Sequence, residues 1–85
     1  MIDPDRARTI TVYSITTNRR NAIRLRADAE VVEDQIAAWC RTRADQLDED
    51  ADQAEMMLRE DHPEWMATEY EQLVARIDTA IDEEE

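Results

Sequence analysis

The 85-residue chain contains no glycine, no lysine and no phenylalanine. Without glycine, none of the usual phosphate-cradling loops can form, because those loops need a close backbone approach. One cysteine, Cys40, excludes an intramolecular disulfide. One histidine, His62, together with Cys40 falls short of the ligand set that zinc requires. No run is apolar enough to span a bilayer. The start, Met1-Ile2-Asp3-Pro4-Asp5, lacks the hydrophobic stretch of a secretion signal, so a cytoplasmic location is expected.

Leucine, isoleucine and valine are also scarce, at fifteen residues. With a net charge of −12, so few large aliphatics lean toward disorder. Twelve alanines and a strict helical spacing of the apolar residues argue for a folded chain with a thin core. Such a chain gains stability by self-association or by docking on a partner. A homodimer is therefore one expectation.

What is present is charge, and it is segregated. Residues 1–27 carry six arginines against two acids, and residues 28–85 carry four arginines against twenty acids. A basic head thus precedes a very acidic body. Adaptation to high salt is the plain explanation of that acidity.

The segment Arg8 to Thr17 is rich in β-branched residues, which suit a pleated surface. Ile10 and Val12 share one face, Tyr13 and Ile15 the other. Asn18-Arg19-Arg20-Asn21 reads as a turn. Ile23, Leu25 and Ala27 then alternate with Arg24 and Arg26, which reads as a second strand. Residues 8–27 are accordingly expected to form a β-hairpin. Asp28 is placed to cap a long helix over 29–61, with Glu30 in its first turn. Ile36, Cys40, Ala44, Leu47, Ala51, Ala54 and Leu58 share one arc, which Val32 and Trp39 extend. A bend is expected at Asp48-Glu49-Asp50, where three acids adjoin. Pro63 opens a second helix to residue 82, with Met66, Tyr70, Leu73, Val74, Ile77, Ala80 and Ile81 on its apolar face. Residues 83–85 read as a frayed tail. The fold class is then α+β and mostly helical, one domain in the order ββαα, with the two helices antiparallel.

Asp48, Asp50 and Asp52 match the first three ligand positions of a calcium-binding EF-hand loop. Gln53 and Arg59 break the match at its glycine and glutamate positions. No metal or cofactor is expected. Nothing marks a nucleophile with its base or a perturbed pair of carboxylates, and a two-helix domain offers no deep pocket, so no catalysis is expected.

The acids supply the main candidate site. Asp45, Asp48, Asp52 and Glu55 stack on one side of the first helix, with Glu30 and Asp34 two turns earlier. A regular row of negative charge suits a basic groove that ordinarily holds nucleic acid. Direct binding to nucleic acid is opposed by the chain's own charge. Arg19, Arg20, Arg24 and Arg26 form a basic candidate surface, open to phosphate, to an acidic protein or to the chain's own acids. Trp65 lies about 100° from the second helix's apolar arc, either packed on the hairpin or exposed as an anchor. Arg43 interrupts the first helix's apolar face, and Asp50 follows it at seven residues. The two are expected to meet each other or a second chain.

In size, acidity and the helical row of Asp45, Asp48, Asp52 and Glu55, the chain resembles phage-encoded anti-defence proteins of the anti-CRISPR type. The resemblance is one of class and involves no motif. It implies an inhibitor acting in the host cytoplasm that occupies the basic channel of a defence complex. The stretch Ile23-Arg24-Leu25-Arg26-Ala27-Asp28-Ala29-Glu30-Val31 is similar to the strand-then-helix opening of ribbon-helix-helix regulators. That likeness implies DNA contact by Arg24 and Arg26. Arg41-Thr42-Arg43 lacks the family's usual inter-helix turn, and the segment 8–17 has no counterpart in that fold. An adaptor or structural subunit docking through its helical hairpin is the further alternative.

Overall fold

A computed structural model describes residues 4–67 and 69–84. Four helices follow one another: α1 (Pro4–Asp28), α2 (Asp34–Asp61), α3 (Pro63–Ala67) and α4 (Tyr70–Glu84). Among the described residues there is no strand. The expected β-hairpin over 8–27 is therefore wrong, and with it the α+β class: that segment lies wholly inside α1.

The physical reason is a second pattern hidden beneath the alternation. Val12, Ile15, Ala22 and Ala29 are buried, and Arg8, Arg19 and Arg26 fall on the same seam. The spacing of these seven positions alternates between four and three, which is a helical repeat and not a pleated one. Helix propensity penalises each β-branched residue by less than about 0.7 kcal/mol, so tertiary packing decides. The threonines adapt locally. Thr9 and Thr11 donate their hydroxyls to the carbonyls of Asp5 and Ala7, each at 2.9 Å. Pro4 suits a first helical position, and Asp5 follows in the first turn where the helix dipole favours it.

Helix α1 runs antiparallel to α2. Ala22 packs with Ala44 and Leu47, Ala29 with Ala37 and Cys40, and Val12 and Ile15 lie in one cluster with Ala51 and Leu58. Ala22, Ala44 and Ala51 are fully buried. Small side chains at these positions let the two backbones approach closely. Cys40 is a buried core thiol. On the expected arc of α2, Cys40, Ala44, Leu47, Ala51 and Leu58 are buried, and Ala37 joins them. Ile36 and Trp39 are exposed instead.

The connection 29–33 is closed by backbone bonds from Ala29 to the Leu25 carbonyl and from Val31 to the Asp28 carbonyl. Asp28 thus ends α1 and does not cap α2. The residue before α2 is Glu33, with no side-chain cap. Helix α2 runs unbroken through Asp48-Glu49-Asp50, where a bend was expected. The expected second helix over 63–82 is divided into α3 and α4. Glu69, before α4, takes φ 60°, a left-handed conformation for which glycine is the usual choice. Glu83 and Glu84 continue α4, and Glu85 lies outside the described residues. Leu73 and Ile77 of α4 are buried against α1 and α2, with Met66, Tyr70, Val74 and Ile81 packed around them.

At about 1.5 Å per residue, α1 and α2 are roughly 37 and 42 Å long, and α4 only about 22 Å. The molecule is three-helical at one end and a bare two-helix hairpin at the other. Close α1–α2 packing through alanine predicts that Ala51→Leu destabilises the fold by about 1–3 kcal/mol through overpacking. Urea denaturation followed by circular dichroism measures it.

Candidate functional site

Helix α2 carries its acids seven residues apart in two pairs, Asp45/Asp48 and Asp52/Glu55. Helix α1 carries Arg26 and Arg19, also seven apart. The antiparallel pairing brings each arginine to one acid pair. Arg26 reaches Asp45 at 2.9 Å and Asp48 at 2.6 Å. Arg19 reaches Asp52 at 3.1 Å and Glu55 at 2.9 Å. The same two-carboxylate clamp is thus built twice, one heptad apart. The row expected to face outward as a strip of free negative charge is bridged by the protein's own guanidinium groups.

A third clamp joins α1 to α4. Arg20 pairs with Asp78 at 3.3 Å and with Asp82. Glu55 is the meeting point of α1, α2 and α4. It accepts from Arg19, from the Tyr70 hydroxyl at 2.9 Å and from Arg59 at 3.5 Å. The hydrogen bond from Arg19, with the further bond from Tyr70, holds the Glu55 carboxyl below its ordinary range against a partial desolvation cost. Arg19 is raised correspondingly, chiefly by Glu55. Arg20 is raised by its bond to Asp82 and Arg26 by its bond to Asp45. Burial first, and the adjacent Glu55 second, push the Tyr70 hydroxyl up to about 12.

The remaining expected site residues fall elsewhere. Arg24 and Arg26 stand on a helix and not on a strand, which removes the ribbon-helix-helix likeness. Glu30 lies in the connection and not in the first turn of α2. Asp34 opens α2 on the flank of Asp45 and Asp52. Trp65 is half-buried: it packs on the core cluster, stacks on the His62 ring with centroids 3.9 Å apart, and accepts a bond from Arg8 at its carbonyl oxygen. It is a packing residue in this fold and not a free anchor.

The most exposed aromatic among the described residues is Trp39, at 62%, ahead of Tyr13 on α1 at 44%. It lies on the flank of α2 away from α4. There Trp39, Arg43 and Leu47 border a groove of about 390 Å³ with Asn18, Leu25 and Arg24 of α1. Further along the same flank, Ala54, Met57 and Leu58 face Thr11 and Trp65 across a groove of about 310 Å³. Thr11, Asn18 and Leu25 are seven apart, so both grooves belong to one side of the hairpin. Ile36 at 48% and Met57 at 61% exposure lie on that side. Sequence reasoning placed Ile36 and Trp39 in the core, because one helix's periodicity does not reveal which of two adjacent stripes a neighbour covers. The signal that separates them is Ala37, three residues before Cys40 and seven before Ala44.

Among the described residues, no group of three or more His, Cys, Asp or Glu is arranged to hold a metal ion. No helix is long and apolar enough to cross a membrane. A further groove, of about 640 Å³, is an open furrow between α1 and α4 bordered by Tyr13, Thr17, Arg20, Ile23 and Ile81.

The Glu55 junction predicts stability limits on both sides of neutrality. Glu55 has a lowered folded value, so its contribution is complete above the unfolded value of 4.5 and is lost as pH falls through the folded one. Tyr70 has a raised folded value, so its contribution is complete below 10.0 and is lost as pH rises toward about 12. In urea melts across pH, Glu55→Gln is expected to cost about 1–2 kcal/mol at pH 7 and to flatten the acid limb. Tyr70→Phe is expected to flatten the alkaline limb. Comparison with family models, with curated proteins and with solved structures finds no match to this chain.

Proposed function

We propose that this chain is a non-catalytic docking module that binds protein through the side of the α1–α2 hairpin opposite α4. The observation that carries this reading is the stripe of Ile36, Trp39 and Met57, three large apolar side chains about half exposed or more on one flank. Tryptophan and methionine are enriched at protein interfaces, and an exposed tryptophan on a rigid helix is a low-entropy anchor. The acids of the opposite flank are bridged internally, so the charge serves the fold first. In this reading the chain is an adaptor or structural subunit.

The inhibitor that mimics nucleic acid is the second reading, and one observation favours it. The carboxylates of Asp45 and Asp52 remain 77% and 72% exposed while bridged. Exposed ion pairs contribute only about 0–1 kcal/mol, so a strongly basic groove can compete with Arg26 and Arg19 for them. The partner in that reading is a basic nucleic-acid-binding surface, as in the anti-CRISPR-type proteins that the sequence resembles.

Affinity capture from the native cell distinguishes the two. The docking reading predicts that Ile36→Ser with Trp39→Ser reduces capture at least about tenfold while helicity by circular dichroism stays unchanged. Equal capture by wild type and variant contradicts it. The mimic reading predicts loss with Asp45→Asn and Asp52→Asn, and salt-sensitive binding.

A further inference from the structure

Resting on the docking reading, we infer that the occupant of this flank is a second copy of the chain, with two α2 helices paired antiparallel about a two-fold axis between Gln46 and Leu47. The residues of the flank are arranged symmetrically about that point. Arg43 and Asp50 are equidistant from it, as are Trp39 and Ala54, and Ile36 and Met57. In an isologous antiparallel pair, positions equidistant from the axis face one another across the interface. Arg43 of one copy then meets Asp50 of the other, twice. Trp39 lies over a small alanine that leaves room for its ring. Ile36 lies against Met57.

The fold leaves these charges for that purpose. Among the described residues, Arg43 bonds only the neighbouring Gln46, at 3.3 Å, and Asp50 makes no ion pair. Arg43 and Asp50 are both exposed, whereas Arg19, Arg20 and Arg26 all reach acids across helices. Ile36, Arg43, Asp50 and Met57 repeat every seven residues, the period that keeps a stripe facing one partner helix. From Ile36 to Met57 the strip is roughly 32 Å long. With the adjoining flank of α1 it is about 18 Å wide. That amounts to about 1,200 Å² buried in total by two copies, the lower end of the range for specific complexes.

The test is the oligomeric state by sedimentation equilibrium from about 1 to 300 µM in about 0.15 M salt, where screening shortens the reach of the net charge to about 8 Å. Wild type, Arg43→Asp, Asp50→Arg and the double exchange are compared, with circular dichroism as the check of folding. Self-association predicts a dimer for wild type, dissociation at least about tenfold weaker in each single variant, and recovery in the double exchange. Recovery is the result that a general effect on folding does not produce. A wild-type dimer indifferent to both single changes overturns the proposal, because a different face then carries the contact. A monomer over the whole range also overturns it. If Trp39-dependent capture of a different protein survives in that case, the docking reading stands; if that capture is lost too, both fall.

Discussion

Close antiparallel packing of α1 on α2 is the constraint on which the rest depends. Ala22, Ala44 and Ala51 are fully buried along the line of contact. They bury little apolar surface each, so the pairing draws on contact over its whole length and not on a few large side chains. Close approach also brings Arg19 and Arg26 within reach of α2. Each closes on two carboxylates, and the repeat at seven residues fixes the register: a shift of one residue would carry both arginines off their acid pairs. The acidity of α2 is in this respect a folding feature, matched to the basic character of α1.

The short α4 determines what is left for function. It adds Leu73 and Ile77 to the core at one end of the hairpin, and Tyr70, Asp78 and Asp82 tie it to the same flank that carries the acid row. The opposite flank is bordered only at one end, where Trp65 of the short α3 stands beside Met57. Ile36, Trp39 and Met57 stay exposed there. A small domain with a thin core is short of buried surface, and in the proposed reading a partner supplies it on this flank.

Much of the helical part was legible in the sequence. The stretch to Asp61, the break at His62-Pro63 and the core positions Cys40, Ala44, Leu47, Ala51 and Leu58 follow from periodicity and from proline chemistry. The first 28 residues were misread because Ile10-Thr11-Val12 and Ile23-Arg24-Leu25-Arg26 alternate as strands do. The alternation coexists with a seam from Arg8 to Ala29 in which arginine holds three of seven positions. A hydrophobic count overlooks such a seam, since the long arginine stems pack while their heads reach outward. The row Asp45, Asp48, Asp52 and Glu55 was identified as a unit, and Arg19 and Arg26 as candidates, but their mutual pairing needed α1 to be a helix. Trp39, read as core, is exposed, and Trp65, read as either packed or an anchor, packs on the core cluster; one helix's periodicity does not decide which aromatic a neighbouring helix covers.

The most direct test of the α1–α2 pairing is a nuclear Overhauser spectrum of the protein with alanine methyls labelled. The account predicts a cross-peak between the methyls of Ala22 and Ala44, with helical Cα shifts on both sides of each residue. Absence of that contact, with extended shifts over residues 8–17 and 23–27, would contradict it.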